Sequence, residues 1–197
     1  MIKAIIFDFG GVLSVPGKID AFCEGYAKKL NKDPKEFLEL VKENWHSARI
    51  NKIPSKTFWV NSAKFLEVDS KKFRGEMINS FRFQEDIFTL IKKLKKDYKI
   101  GLLSDQIEDW LEETIKEKRL NKIFDAIVTS YKSKIAKPDI RIFKEIVKKL
   151  KIKPTECIYI DDLEINRAPA KKLGMKFILF KNKDYLMREL KKLKIRM

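Results

Sequence analysis

Short apolar runs that alternate with helical segments constrain this chain more than any other feature. The run 2–9 is continuously apolar up to Asp8 and is closed by Gly10-Gly11, the pattern of a buried strand ending in a turn. From Glu85 onward the order is helix, strand, helix, strand. A helix carrying Ile87, Leu90, Ile91 and Leu94 leads into Lys99-Ile100-Gly101-Leu102-Leu103-Ser104. A second, over about 107–118, precedes Ala126-Ile127-Val128-Thr129, and a third, from Pro138, precedes Cys157-Ile158-Tyr159-Ile160. A fourth, over about 165–173, precedes Phe177-Ile178-Leu179-Phe180, and a last one carries Leu186, Leu190 and Leu193. Strands this short and this uniformly apolar are buried on both faces. They predict an α/β protein with a parallel sheet covered by helices on each side.

One stretch breaks the alternation. Ser14-Val15-Pro16-Gly17 reads as an exit loop, and from about 18 to 82 the pattern is helical throughout. Asp33-Pro34-Lys35-Glu36 combines an N-cap, a proline at the first helical position and a glutamate placed to reach back to the cap. Further helices are expected near 55–66 and 69–80, so residues 15–85 read as a helical insertion after the first strand of a core made by 1–14 and 86–197. Trp45, Phe58, Trp59 and Phe65, at helical spacing, are expected to pack the inside of that insertion. His46 is expected in a packing or surface role, and Trp110 is open to either packing or ligand contact.

Composition excludes several function classes. Hydrophobic residues make up 44% of the 197, enough for a packed core, and no apolar run approaches the ~20 residues of a membrane span. No secretory leader is recognisable, so a cytoplasmic location is expected. Cys23 and Cys157 are far apart and outside any C-x-x-C pair, and are expected as reduced, buried thiols. With His46 the only histidine, a histidine-ligated metal cluster or a Ser-His-Asp triad is all but excluded. The net charge of +16 raises the question of nucleic acid. The lysines, however, are spread as pairs along helices (Lys92-Lys93, Lys95-Lys96, Lys148-Lys149, Lys191-Lys192), and there is no basic tail. A solvated, heat-adapted surface explains them better, and its field would also draw small anions inward.

In open parallel sheets ligands bind beyond the carboxyl ends of the strands. Asp8, Ser104-Asp105 and Asp161-Asp162 stand at three such ends, and Lys137-Pro138 opens the helix after the Val128 strand. Carboxylates that close repel one another unless a cation compensates. Hard oxygen ligands together with a lysine suit Mg²⁺ and a phosphoryl group.

The order of these segments resembles the haloacid-dehalogenase-like hydrolase superfamily. Ile6-Phe7-Asp8-Phe9-Gly10-Gly11-Val12-Leu13 is similar to its opening motif and Leu102-Leu103-Ser104-Asp105 to its second. Lys137-Pro138-Asp139-Ile140-Arg141-Ile142-Phe143 is similar to the third, and Ile158-Tyr159-Ile160-Asp161-Asp162 with Asn166 to the fourth. Leu173-Gly174-Met175 is similar to the usual lead-in to the last strand. The resemblance implies a Rossmann-like core with a small helical cap and a phosphatase acting on a small phosphorylated metabolite. In it Asp8 would be the nucleophile and Ser104 and Lys137 would hold the phosphoryl group. Mg²⁺ would be bound by Asp8, the Gly10 carbonyl and Asp162, with Asp161 and Asn166 in support. The paired aspartates with asparagine four residues on are similar to the subgroup of glucose-1-phosphate phosphatases and the amino-terminal phosphatase domain of epoxide hydrolases.

The chain departs from the family at one position. Most phosphatases of the superfamily carry an aspartate two residues after the nucleophile as general acid and base; here that position is Gly10. Asp105, which lies beside Ser104, is the candidate substitute, against a structural or exposed carboxylate. Two alternatives follow: a 2-haloacid dehalogenase in which Asp8 attacks carbon without metal, and a catalytically degenerate binding protein. The doubled Asp161-Asp162 and the absence of an early arginine speak against the first, and the retention of Asp8, Ser104, Lys137 and Asp162 against the second.

Overall fold

The computed structural model describes all 197 residues. Strand β1 (Ala4–Phe7) is followed by a two-residue strand β2 (Ser14–Val15) and four helices: α1 (Asp20–Lys29), α2 (Pro34–Ala48), α3 (Ser55–Leu66) and α4 (Ser70–Asn79). Strand β3 (Arg82–Phe83) returns antiparallel to β2 and closes the insertion at its base. This pair is too short and too polar to carry a period-2 signature, and the helical pattern in the sequence passed over it. Asp33 caps α2 as expected, accepting from the backbone N–H groups of Lys35 and Glu36 at 2.8 Å each. The reciprocal bond from the Glu36 side chain is not made; Asp33 satisfies both donors alone.

After the insertion come α5 (Glu85–Leu94), β4 (Lys99–Ser104), α6 (Glu108–Glu117), the single turn α7 (Leu120–Ile123) and β5 (Ala126–Thr129). Then follow the short α8 (Ser130–Ser133), α9 (Ile140–Leu150), β6 (Cys157–Asp161), α10 (Arg167–Lys172), β7 (Lys176–Leu179) and α11 (Lys183–Lys192). The third helix of the core therefore begins two residues later than Pro138 suggests. Asp139 caps it, accepting from the Arg141 N–H at 2.9 Å, which leaves Lys137-Pro138 in the loop.

The five core strands form one parallel sheet in the order β5-β4-β1-β6-β7. The chain runs outward from β1 to β5, then returns to the other side of β1 with β6 and β7. That reversal opens a crevice beyond the carboxyl end of β1. Side chains alternate across the sheet: Ile5 and Phe7 enter one core with α5 and α11, while Ala4 and Ile6 enter the other with α9. This is the α/β architecture, covered on both faces, that the apolar runs predict.

A third apolar cluster fills the helical insertion, with Phe37, Phe58, Trp59 and Phe73 buried in it and Trp45 and Phe65 packed against it. Two residues from beyond β4, Ile107 and Trp110, belong to the same cluster. Trp110 is thus a packing residue, with its ring 4.7 Å from that of Phe81. Polar contacts reinforce the seam: the Trp59 indole donates to Asp109 at 2.8 Å, and Arg74 pairs with Asp109 and Glu113. Cys23 and Cys157 are free and buried. No helix is long and apolar enough to cross a membrane.

Candidate active site

Register places the chemistry. β1 pairs on one side with β4, Phe7 opposite Leu102, and on the other with β6, Phe7 opposite Ile160. Asp8 is the next residue, so it emerges between the ends of β4 and β6. Its backbone N–H still donates to the Ile160 carbonyl at 2.9 Å, which continues the ladder and fixes the side chain's position. The Asp8 carboxylate accepts the Phe9 N–H at 2.7 Å.

Lys137 ties the strand ends together. Its ammonium lies 2.7 Å from Asp8 Oδ1 and 2.9 Å from Asp161 Oδ2. All three side chains are buried. Burial opposes the charge on Lys137, yet Asp161, Asp8 and Asp105 outweigh it and hold the ammonium protonated far above its ordinary range. Burial likewise works against Asp161, but Lys137, the Tyr159 hydroxyl and the Leu163 N–H keep its carboxyl below the usual value. Asp8 is pushed well up, by burial first and by Asp161 and Asp162 besides, with Lys137 opposing. Burial and the neighbouring Asp161 push Asp162 up to about 6.

Beside burial, these shifts share a second cause. Oxygens of Asp8, Asp161 and Asp162 lie within 4.8 Å of one another, with a single lysine among them. Three carboxylates against one ammonium leave two negative charges in excess, which is the charge of a divalent cation. The donors are all oxygen. Asn166, which lines the same cleft as Asp162, donates to Asp161 at 2.9 Å, and its own Oδ1 is buried without a partner. A hard divalent ion such as Mg²⁺ fits this set.

Asp161 and Asp162, adjacent in sequence, face different neighbours. Asp161 is wholly enclosed, with acceptors taken by Lys137, Tyr159, Asn166 and the Leu163 N–H. Asp162 lines the open cleft and lies against the backbone at Gly11 and Gly17, where a Cβ on either glycine would overlap its carboxylate. Gly11 also holds a left-handed φ of 74°, so that turn requires glycine twice over. Gly10 lines the cleft too, and a Cβ there would meet only the Gly17 carbonyl at 3.5 Å.

Ser104 stands at the end of β4 with its hydroxyl buried and without a hydrogen-bond partner. An orphaned hydroxyl among bound polar groups is costly unless a ligand oxygen completes it. Asp105 is fully engaged: it accepts the Lys137 N–H at 3.2 Å through Oδ1 and the Arg49 guanidinium at 3.1 Å through Oδ2. Burial raises its pKa against Lys137 and Arg49. Asp105 therefore anchors the Lys137 loop and bridges to the insertion.

Above the strand ends lies a cleft of about 380 Å³, bounded on its far side by the helical insertion. Lys18, Lys42, Trp45, His46 and Arg49 line it from there. His46 and Trp45, expected as packing or surface residues, thus stand on the wall of the site, while Trp45 also packs on Phe58 and Trp110. Arg49 and Tyr159 were missed in the sequence. Tyr159 was traceable, because it lies two residues before Asp161 on one strand and so shares its face; its hydroxyl is 3.1 Å from the Lys137 ammonium. Arg49 carried only a helical spacing.

A haloacid dehalogenase-like hydrolase family profile matches residues 5–180. The chain belongs to the haloacid dehalogenase-like hydrolases. Bifunctional epoxide hydrolase 2 of Sus scrofa is 26% identical over 97% of this hydrolase, which spans only 38% of that protein's length. Glyceraldehyde 3-phosphate phosphatase of Pyrococcus furiosus is 33% identical over 49% of the chain and 41% of its own. Among solved structures, a Bacteroides thetaiotaomicron family enzyme in complex with magnesium and inorganic phosphate superposes with a TM-score of 0.77 at 23% identity, covering 95% of this chain and all of that one. L-2-haloacid dehalogenase of Xanthobacter autotrophicus gives 0.62 at 18% identity, covering all of this chain and 85% of that one. At such identities the likeness is one of fold.

Proposed function

We propose that this hydrolase cleaves a small phosphoester in a Mg²⁺-dependent, two-step displacement with Asp8 as nucleophile. One observation carries the reading: three clustered carboxylates at the strand ends, with one lysine among them, leave an excess of two negative charges. A metal-free displacement at carbon would leave that excess uncompensated, which disfavours the dehalogenase reading. A degenerate binding protein would have no need for a buried Lys137 pinned between Asp8 and Asp161. Phosphatase relatives and a fold neighbour holding magnesium and phosphate support the same choice.

In this mechanism Asp8 Oδ attacks phosphorus and the ester oxygen leaves; water then hydrolyses the aspartyl-phosphate. Lys137 neutralises charge shared by nucleophile and phosphoryl group, and the orphaned Ser104 hydroxyl donates to a phosphoryl oxygen. Asp8, the Gly10 carbonyl and Asp162 would hold Mg²⁺, supported by Asn166, and the ion when bound would supply Lewis-acid stabilisation of phosphoryl charge. Asp161 acts through Lys137, which it orients. The helical insertion, residues 15–85, serves as the cap over the core formed by 1–14 and 86–197, and a small phosphorylated metabolite is the substrate class.

The test is phosphate release from aryl and alkyl phosphoesters with Mg²⁺ and with a chelator, beside chloride release from 2-chloropropionate. Turnover of a phosphoester that chelation removes is the expected result; metal-independent chloride release would replace it with the dehalogenase. The role of position 10 has its own check. Gly10→Asp has room for its Cβ and restores a carboxylate beside the leaving group. It should raise kcat for alkyl phosphates about tenfold, within the range for a positioned acid, while changing aryl phosphates little because their leaving groups need no proton.

A further inference from the structure

The cleft wall that the insertion supplies is built from one face of α2 and its C-cap residue, Arg49. Lys42, Trp45, His46 and Arg49 follow one another at intervals of three, one and three residues, and all four line the cleft. That is the i, i+3, i+4, i+7 stripe of a single helical side. Lys18 adds a further cation from the approach to α1. Against these, the insertion contributes one carboxylate to the cleft, Asp20, which pairs with Lys42 at 2.6 Å. Arg49 spends one nitrogen on Asp105, and its Nε is buried without a partner. His46 feels this surplus: burial and then Arg49 hold its pKa below the ordinary value.

The scissile phosphoryl group does not account for the stripe, because Lys137, Ser104 and the metal ligands already serve that end of the cleft. The stripe faces whatever the phosphate is attached to. A neutral leaving group could accept from the Arg49 Nε but would leave the surplus charge idle, whereas an anionic one answers both, with a stronger charge-assisted bond. We infer that the phosphoester bound here carries a second anionic group, a carboxylate or another phosphate, received by Lys42, His46 and Arg49.

This rests on the phosphatase reading, so the experiment separates the two. Binding of ethyl phosphate, phosphoglycolate and ethylene glycol bisphosphate to the Asp8→Asn protein with Mg²⁺ is measured by calorimetry, which requires no turnover. At least one of the two doubly anionic ligands should bind tenfold or more tightly than ethyl phosphate; which of them does so identifies the second group. Lys42→Ala and Arg49→Gln should each reduce that preference at least threefold, and Arg49→Lys should retain part of it. Affinity for ethyl phosphate should stay within about threefold in Lys42→Ala, whose side chain touches none of the groups that hold the scissile phosphate. With active protein the same preference should appear in KM more than in kcat. Equal binding of the three ligands, or a preference untouched by both variants, overturns the inference even if phosphoesters are hydrolysed. A preference that holds in binding while no phosphoester is turned over overturns the phosphatase reading instead.

Discussion

Asp8→Asn should lower phosphoester hydrolysis by at least about 10³-fold, because a neutral amide cannot form the acyl-phosphate bond and no other carboxylate occupies its place. Asp161 cannot substitute, since it is fully enclosed and both of its oxygens already accept hydrogen bonds within the protein. Asp162 lies in the cleft, but the proposed mechanism assigns it to the metal. The substitution keeps the shape of the side chain and removes one of three crowded negative charges, so the protein should fold and be no less stable. Loss of turnover with an unchanged melting curve is therefore the expected pair of results. Retention of more than about a tenth of the parent rate would remove Asp8 from the nucleophile's role.

Lys137→Met should be costly in a different way. The methionine fills similar volume, but Asp8 and Asp161 are left buried without their ammonium. Removing one partner of a buried ion pair typically costs about 3–5 kcal/mol, which urea unfolding at pH 7 would read directly. Turnover should fall about 10²-fold or more with the loss of a charge aimed at the reacting phosphate. The pH dependence has a definite sign. Without Lys137 the folded-state pKa of Asp8, already raised, climbs further, and that of Asp161 moves up from below its ordinary value. Carboxyls raised in this way destabilise the fold at neutral pH, and the penalty fades as pH falls and they take up protons. The stability gap between variant and parent should therefore narrow between pH 7 and pH 5. Mg²⁺ should narrow it as well, by supplying part of the missing positive charge. A variant as stable as the parent at pH 7 would mean that Lys137 is not the group offsetting these carboxylates.

Much of the fold was legible because its signals are local. Each core strand is a short apolar run bounded by a turn, and each covering helix repeats its apolar residues at 3.6-residue spacing. Asp8, Ser104 and Asp161-Asp162 were legible as candidates because they fall at or just beyond strand ends, where a parallel sheet presents its ligands, and Lys137 because it stands before the helix that follows β5. The strands β2 and β3 were not, since two residues carry no period. The seam between insertion and core was not, since Trp110 reads as amphipathic whichever neighbour it meets.

What the chain alone determined was the element order, the parallel sheet and the residues standing at its carboxyl ends, because hydrophobic periodicity and chain order settle these without distant contacts. Only the tertiary structure decided how neighbouring residues divide their work. Asp161 and Asp162 are adjacent, yet one is enclosed around Lys137 and the other opens to the cleft against Gly11 and Gly17. Asp105 is committed to the Lys137 backbone and to Arg49, a residue 56 positions away. The physical reason is distance along the chain. Which carboxylate gains a cation, which keeps solvent and which helix face overlooks the site depend on partners that only folding brings within a few ångströms.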